Sequence, residues 1–353
     1  MIRIISILTI LTLILSGSGC RLAYILHAGA GQFRMLHGAI PVEKALKNDS
    51  LRPEQKDLLR LVARIKNFGE KELGLKKTQN YQTVYLKSDQ SPIFTVSASP
   101  KDRLTRITWW FPVVGKMPYL GFFDLERARA EKKRLIKKDL DVVISKGDAY
   151  STLGWFKDPV TLNLLEGTTV DLVETILHEM THTTLYVKGE GEFNEGLAVL
   201  VGMVGASLFL ERTCGPSHPL TIEAQKSIED ELLFSSFLTS LFEKLERLYN
   251  SPVSFQEKLA GREAIFSRSL EGFGRLKSRL QTERFIHFGS RKLNNASLMS
   301  IGLYHRHFHL FETVLKEKGN SIKKTLLFFH DLSKEKGDIL EKAKGWLKKR
   351  AGS

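Results

Sequence analysis

The deciding stretch of this sequence is Thr175-Ile-Leu-His178-Glu179-Met-Thr-His182-Thr183. Histidines four residues apart project from the same face of a helix, close enough to share one metal ion. Zn²⁺ binds neutral imidazole nitrogens and prefers four ligands in a tetrahedron. Glu179 would then lie beside the open position, where it can accept a proton from metal-bound water. The stretch therefore predicts a hydrolytic zinc site with His178 and His182 as ligands.

A third protein ligand is expected shortly after the second histidine. The segment Phe193-Asn194-Glu195-Gly196 offers Glu195 at the start of an apolar helix, which favours it as the ligand. Three other acids are rivals: Glu190, Glu192 and Glu211. The first two lie so close to His182 in sequence that they cannot easily fold back onto a shared ion.

The residues around the motif predict two helices joined by a turn. Apolar residues recur at helical spacing before and within the motif: Val170, Val173, Leu177 and Met180. Thr168 or Thr169 can cap this helix, and Tyr186–Gly191 reads as a turn. A second helix is expected from Leu197 to about Leu210. This is the arrangement of the glutamate-type zincins, whereas the alternative is a metal-free pair of histidines on an ordinary helix.

The sequence resembles a bacterial family of predicted aminopeptidases, which are zinc-dependent lipoproteins. The matching segments are Phe111–Gly115, Tyr119–Asp124, Asp148–Phe156 with Asp158-Pro159, His178–His182, Leu185–Gly189 and Phe193–Glu195, with Asn294–Ala296 and Tyr304 similar to its C-terminal part. The resemblance runs over most of the chain from Cys20 onward and implies a gluzincin-like fold. It implies one Zn²⁺ per chain, held by His178, His182 and Glu195, with Glu179 as the catalytic base.

The segment Asn194-Glu195-Gly196 also resembles the third-ligand segment of the large membrane alanyl-type aminopeptidases. Those enzymes capture the free amine of the substrate with a Gly-x-Met-Glu-Asn strand, and this sequence has no such motif. We therefore expect a zinc metallopeptidase acting on a peptide or protein, an aminopeptidase by resemblance, with endopeptidase activity open. The alternatives are an envelope assembly factor or chaperone-like lipoprotein with a non-hydrolytic zinc site, or a zinc amidase acting on peptidoglycan peptides.

The N-terminus predicts export and a lipid anchor. Arg3 is followed by the apolar run Ile4–Leu15 and then by Ser16-Gly-Ser-Gly19-Cys20, which is the pattern of a secretory signal. A cysteine after small residues predicts a lipoprotein signal peptide over residues 1–19 and lipidation of Cys20. Gly17 stands where such signals normally have Leu, so an uncleaved signal anchor is the alternative. The expected location is the cell envelope, facing the periplasm, and the outer membrane if the source is Gram-negative.

The chain is strongly basic, with a formal net charge of +14. Two basic clusters stand out, Lys132–Arg134 and Lys348–Arg350. Export takes the chain away from nucleic acid and no readout motif is visible, so no nucleic-acid partner is predicted. The clusters can face anionic lipid headgroups, or they can simply form the solvated faces of helices.

The overall pattern predicts an α+β, zincin-like metallopeptidase. The N-terminal half is expected to hold a mixed β-sheet, and the C-terminal half to be mainly helical. The expected strands are Tyr81–Leu86, Ile93–Ala98, Arg106–Val114 and Leu140–Ser145. The expected helices outside the metal motif are Pro53–Leu73, Asp124–Lys138, Thr221–Tyr249, Phe255–Glu283, Ala296–Lys318 and Ile322–Lys348. Residues 20–213 would form the catalytic half and residues 214–353 a helical half that closes the cleft, and the two halves could be one domain.

Hydrolysis also needs a hydrogen-bond donor for the oxyanion that forms on the substrate. Tyr304 is the first candidate, because a phenol keeps its proton at neutral pH. Tyr150 is another, and three histidines crowd the same segment as Tyr304: His305, His307 and His309. The alternative is that Tyr304 is an ordinary tyrosine on a helix surface. Glu174, one turn before His178, can accept a hydrogen bond from an imidazole N–H.

Overall fold

A computed structural model describes residues 33–86, 93–111, 115–147 and 157–351 of the chain. The predicted signal peptide, the lipidation site Cys20 and the candidate donor Tyr150 lie outside the described residues. The described part is α+β, which confirms the predicted class.

The predicted helices and strands occur in the expected order, together with several short elements that the sequence did not predict. The helices are α1 (Val42–Ala45), α2 (Pro53–Lys71), α3 (Leu125–Ile136), α4 (Thr169–Thr184), α5 (Gly191–Cys214), α6 (Pro219–Tyr249), α7 (Phe255–Lys277), α8 (Asn295–His305), α9 (Phe308–Glu317), α10 (Ile322–Ser333) and α11 (Ile339–Ala351). The strands are β1 (Ile40–Pro41), β2 (Thr83–Tyr85), β3 (Ile93–Ser99), β4 (Trp109–Phe111), β5 (Gly115–Met117), β6 (Leu120–Phe122), β7 (Asp141–Gly147) and β8 (Val160–Thr161).

The described strands form three small sheets, so the prediction of one mixed sheet is wrong. One sheet has the order β1-β2-β8, in which β2 pairs antiparallel with β1 and parallel with β8. The second is antiparallel, with the order β6-β3-β7, and the third is the hairpin β4-β5. The expected strand over Arg106–Val114 supplies only the short β4, because the chain then returns to pair with itself at Gly115. Gly115 has a φ of 78°, which glycine adopts at little cost.

Two long helices expected in the C-terminal half are each broken. The predicted helix Ala296–Lys318 divides into α8 and α9 at Arg306 and His307. Arg306 directly follows the last residue of α8. Its carbonyl accepts hydrogen bonds from the hydroxyls of Ser235 and Thr239 on α6, both at 3.1 Å. Ile322–Lys348 divides into α10 and α11, with Gly337 at a φ of 101° between them.

The largest hydrophobic core crosses the boundary predicted at residue 214. It includes Leu177 and Leu197 from one side of that boundary and Phe311 and Phe329 from the other. Helix α5 is long and apolar enough to cross a membrane, because its most apolar 18-residue stretch has a mean hydropathy of 1.7. However, 83% of that stretch is buried inside the protein. Here α5 is therefore the central helix of the core.

Candidate metal centre

Helix α4 carries the two histidines and is fixed by a capping box at its start. Thr168 accepts a hydrogen bond from the backbone N–H of Asp171, and the Asp171 carboxylate accepts one from the N–H of Thr168. The predicted cap at Thr168 is therefore confirmed. The apolar stripe is buried as expected, at Val170, Val173, Leu177 and Met180. Burial of this stripe sets the rotation of the helix and turns the motif toward α5.

Helix α5 begins at Gly191, six residues before the predicted start, so Glu195 lies in its second turn. Asn194 joins this end of the helix to the preceding turn. Its side-chain oxygen accepts from the N–H of Val187 and its amide donates to the Val187 carbonyl, both at 2.8 Å. Because Asn194 is buried and satisfied in this way, it holds Glu195 at a fixed position relative to the end of α4.

Two glycines allow α4 and α5 to approach closely. A Cβ atom at Gly202 would lie only 2.7 Å from the backbone oxygen of Glu174 and 3.4 Å from Cβ of His178. One at Gly205 would lie 2.7 Å from a methyl carbon of Leu177. Real Cβ atoms almost never come within 3.0 Å of such neighbours. The distance between the helices therefore depends on the absence of side chains at these positions.

Three ligand atoms converge where the two helices face each other. Nε2 of His178 lies 3.1 Å from Nε2 of His182 and 3.2 Å from Oε2 of Glu195. Nε2 of His182 lies 3.3 Å from the same carboxylate oxygen. In the part of the chain that the structure describes, this is the one group of three or more His, Cys, Asp or Glu residues spaced to hold a metal ion.

These residues fit zinc. A tetrahedral ion with bonds of about 2.0–2.1 Å separates its ligand atoms by roughly 3.3–3.4 Å, close to the three observed distances. The donor set of two imidazoles and one carboxylate leaves a fourth position, as in hydrolytic zinc sites. His182 is 4% exposed, whereas the side chains of His178 and Glu195 are 16% and 17% exposed. The three-residue cluster is therefore partly accessible to solvent through His178 and Glu195.

The electrostatics of the three residues suit a cation. Burial acts to raise the pKa of Glu195, but the two imidazoles outweigh it and lower that pKa below its ordinary value. Burial acts to lower the pKa of His182, and the Glu195 and Glu179 carboxylates raise it. Nδ1 of His182 is buried without a hydrogen-bond partner among the described residues. The Glu195 carboxylate is therefore ionised between two imidazole nitrogens, and a bound cation would offset its charge.

Glu179 and Tyr304 both lie beside the three predicted ligands. Glu179 is 8% exposed, and its Oε2 is buried without a hydrogen-bond partner in the described structure. The ring of Tyr304 stacks on that of His178, with 6.3 Å between centroids and 27° between planes. The charge of Glu195, followed by burial, raises the pKa of Tyr304 well above its ordinary value. Its phenol therefore keeps its proton at neutral pH.

The other acids considered from the sequence have different surroundings. Glu192 pairs with Arg106 and His307, at 2.8 Å from each. Glu211 lies exposed near the far end of α5. Glu174 does not accept from an imidazole among the described residues: its Oε2 accepts from Nη1 of Arg284 at 2.7 Å, and its Oε1 has no hydrogen-bond partner. That expectation was wrong, since the spacing along one helix reveals nothing of a partner 110 residues away.

The side chains of His305, His307 and His309 point to different partners and do not form one site. Nδ1 of His305 lies 2.7 Å from Glu231, and Nε2 of His307 lies 2.8 Å from Glu192. Nδ1 of His309 lies 3.2 Å from the hydroxyl of Thr313 in its own helix. Spacing by two places them in different directions around the break between α8 and α9.

Sequence reasoning missed two groups near the centre. Tyr186 is 44% exposed and its ring lies 6.5 Å from that of His182, so it forms part of the rim. Glu231 is fully buried on α6, where it falls on the helix's apolar stripe with Phe234 and Leu238. The sequence did carry a signal for Glu231, because a charged residue stands there at a position where the helical pattern expects an apolar one. Tyr186 stood in a turn and gave none.

The comparisons with known proteins give one family. The family described as "Putative aminopeptidase" matches residues 23–342. No curated protein and no solved structure matches the chain.

Proposed function

The chain belongs to the family described as "Putative aminopeptidase", and on that premise we propose that it is a zinc-dependent peptidase, most specifically an aminopeptidase. His178, His182 and Glu195 would hold one Zn²⁺, with Glu179 as general base and Tyr304 as hydrogen-bond donor. The observation that carries the proposal is the convergence of three ligand atoms within 3.3 Å of one another beside a buried carboxylate. A structural site would have no use for that carboxylate and would prefer four protein ligands.

The reaction proposed is hydrolysis of a peptide bond. When bound, zinc supplies a Lewis acid that polarises the scissile carbonyl and makes water easier to deprotonate. Glu179 accepts a proton from the attacking water and returns it to the amine nitrogen as the C–N bond breaks. Its Oε2 has no hydrogen-bond partner among the described residues, so this atom is suited to hold that proton. The Tyr304 O–H donates to the carbonyl oxygen as negative charge grows there.

The proposal extends to fold and location. Helix, short turn and helix with the third ligand support a zincin-like catalytic core. The signal pattern before Cys20 supports a lipid anchor in the cell envelope, with peptide or protein substrates reached from the periplasm. Both extensions rest on sequence features that lie together with the metal motif in one chain.

The proposal is tested with the purified full-length chain, loaded with zinc, on a mixed peptide library read by mass spectrometry. Glu179→Gln is the matched control, because it keeps the shape and the ligands but cannot accept the proton. We expect cleavage by the wild-type protein alone, with equal zinc content in both proteins.

The cleavage pattern then decides between the open alternatives. Stepwise loss of N-terminal residues identifies an aminopeptidase, and internal cuts identify an endopeptidase. If no cleavage depends on Glu179, the peptidase proposal is wrong. Peptidoglycan peptides would be the next substrate to test, followed by a non-hydrolytic role in envelope assembly.

A further inference from the structure

Tyr304 stands next to a histidine that is hydrogen-bonded to a buried acid, and a second histidine, bonded to a partly buried acid, follows. Nδ1 of His305 lies 2.7 Å from Oε1 of Glu231 on α6. Nε2 of His307 lies 2.8 Å from Oε2 of Glu192 on α5. The two histidines use different ring nitrogens and reach different helices, and Tyr304 precedes both by one and three residues.

The first contact continues into the metal-binding helix. Glu231 is 0% exposed, and its second oxygen lies 3.9 Å from Nε of Arg284. Nη1 of Arg284 also donates to Glu174 at 2.7 Å, one turn before His178 on α4. A chain of charged contacts, buried at Glu231 and Glu174 and partly exposed at Arg284, therefore joins the end of α8 to α4.

The second contact continues into the helix that carries the third ligand. Glu192 lies one turn before Glu195 on α5 and also pairs with Nη1 of Arg106 at 2.8 Å. Nη2 of Arg106 donates to the Met299 carbonyl on α8 at 2.9 Å. The start of α5 is thereby tied to both ends of the segment that contains Tyr304.

This segment is a helix end, and helix ends fray unless they are tied down. Tyr304 is the penultimate residue of α8, which stops before the break at Arg306. We propose that His305 and His307 are positioning residues that hold the phenol of Tyr304 against the metal centre through Glu231 and Glu192. This inference rests on the proposed function for the role of Tyr304.

Stability alone does not account for these charged contacts, which range from buried to partly exposed. Exchanging a buried ion pair for apolar residues is often neutral or stabilising, so such a pair is weak evidence for a stabilising role. A hydrogen bond from one ring nitrogen to one carboxylate oxygen has a fixed direction, so the two bonds define where His305 and His307 lie. Both chains of contacts end within one turn of a predicted ligand, which is where a defined position affects the reaction.

The atoms involved make a specific test possible. The side-chain amide nitrogen of asparagine can stand near the place of Nδ1, and that of glutamine near the place of Nε2. We expect His305→Asn to preserve kcat, and His305→Gln to lower it by about ten- to hundredfold with little change in KM. For His307 the order reverses, so that His307→Gln preserves kcat and His307→Asn lowers it. His309→Asn and His309→Gln are controls, since His309 is exposed and bonded within its own helix.

A double substitution separates positioning from a general loss of structure. In full-length, zinc-loaded protein that already carries Tyr304→Phe, neither His305→Gln nor His307→Asn should lower kcat further. A full additional loss would overturn the inference, as would equal activity of the Asn and Gln variants at either position.

Hydrogen exchange gives a readout that does not need activity. Amides at the C-terminal end of α8 should exchange faster in His305→Gln and His307→Asn, with no change in the exchange of α4 or in zinc content. Unchanged exchange at α8 would contradict the inference. If the wild-type protein hydrolyses no peptide, the proposed function fails, while this measurement still decides whether the histidines fix the end of α8.

Discussion

At the scale of single residues, Glu195 decides whether the site can hold a metal. Two imidazoles one helical turn apart offer only two ligands, and the third atom at 3.2–3.3 Å comes from Glu195. We expect Glu195→Ala to lose zinc during dialysis that leaves the wild type loaded, as measured by atomic absorption. Glu211→Ala, an exposed acid on the same helix, is the control and should keep its zinc. Full occupancy in Glu195→Ala would mean that the ligand is assigned wrongly.

In the proposed reaction, Tyr304 acts as a hydrogen-bond donor without holding the metal. Tyr304→Phe should lower kcat by about a hundredfold or more, the usual effect of removing one oxyanion donor, and leave zinc content unchanged. Ring stacking on His178 survives the change, because the aromatic ring is retained. Kinetics on a peptide substrate check this, and an unchanged kcat would return Tyr304 to the role of a packing residue.

The residues that sequence alone could place are those whose geometry is local. His178, Glu179 and His182 follow from the periodicity of one helix, and Glu195 from a helix that follows a short turn. The partner of Glu174 could not be found in this way, because Arg284 approaches from a segment far along the chain. Long-range ion pairs depend on how elements pack, and no spacing rule encodes that.

At the scale of elements, the contact between α4 and α5 sets the ligand geometry. Gly202→Ala must move the helices apart, since its Cβ would meet the Glu174 carbonyl oxygen at 2.7 Å. We expect a loss of about 1–3 kcal/mol in the free energy of unfolding and weaker zinc binding. Gly274→Ala on α7 has nothing within 4 Å and should instead stabilise by about 0.5–1 kcal/mol. Urea unfolding and zinc titration measure both effects, and equal behaviour of the two variants would contradict this account.

The periodicity of the sequence predicts some helices closely and misses other features of the fold. Periodicity located α2, α3 and α6 closely, because each buries one continuous stripe. It did not find the break between α8 and α9, where no glycine or proline interrupts the sequence. There the hydroxyls of Ser235 and Thr239 on α6, which lie far from Arg306 in sequence, donate hydrogen bonds to the Arg306 carbonyl. The prediction of a single mixed sheet was wrong for a related reason. Which strands pair with each other depends on how the whole chain packs, and this cannot be deduced from the pattern of one strand.

At the scale of the whole molecule, Glu192 joins three distant parts of the chain and gives a pH dependence. Burial acts to raise its pKa, but the hydrogen bond from His307 and the Arg106 charge outweigh it and lower the pKa from 4.5 to about 2. Because the folded pKa is depressed, ionised Glu192 stabilises the protein above about pH 4.5. That contribution is lost as the pH falls toward 2.

The size of this contribution follows from the shift, at about 3 kcal/mol. Glu192→Gln lacks the titrating group, so the difference in unfolding free energy between wild type and variant should shrink between pH 4.5 and 2. Urea unfolding across this range checks it, and other acid-sensitive groups cancel in the comparison. A constant difference would mean that Glu192 is not held by its partners in solution.

The proposed anchor is also a property of the whole molecule. Cys20→Ala should move the protein from the membrane fraction to the soluble fraction of the source cell, because a single lipidated cysteine carries the attachment. Fractionation followed by immunoblotting measures this, with Cys214→Ser as control, since that exposed thiol lies outside the signal pattern. Unchanged membrane association of Cys20→Ala would favour an uncleaved signal anchor.

The glycine contact between α4 and α5 also constrains how this protein can evolve. If the proposed hydrolysis is the activity of this protein, a lineage that gave it up could replace Glu179 or even a histidine and still assemble the same core. It could not add a methyl group at Gly202 without moving the two helices apart, because that group would meet the Glu174 backbone oxygen, and a methyl group at Gly205 would have to displace the side chains of Leu177 and Leu73. Among descendants without the proposed activity, Gly202 should therefore outlast the proposed metal ligands, and its persistence would record ancestry after the chemistry has gone.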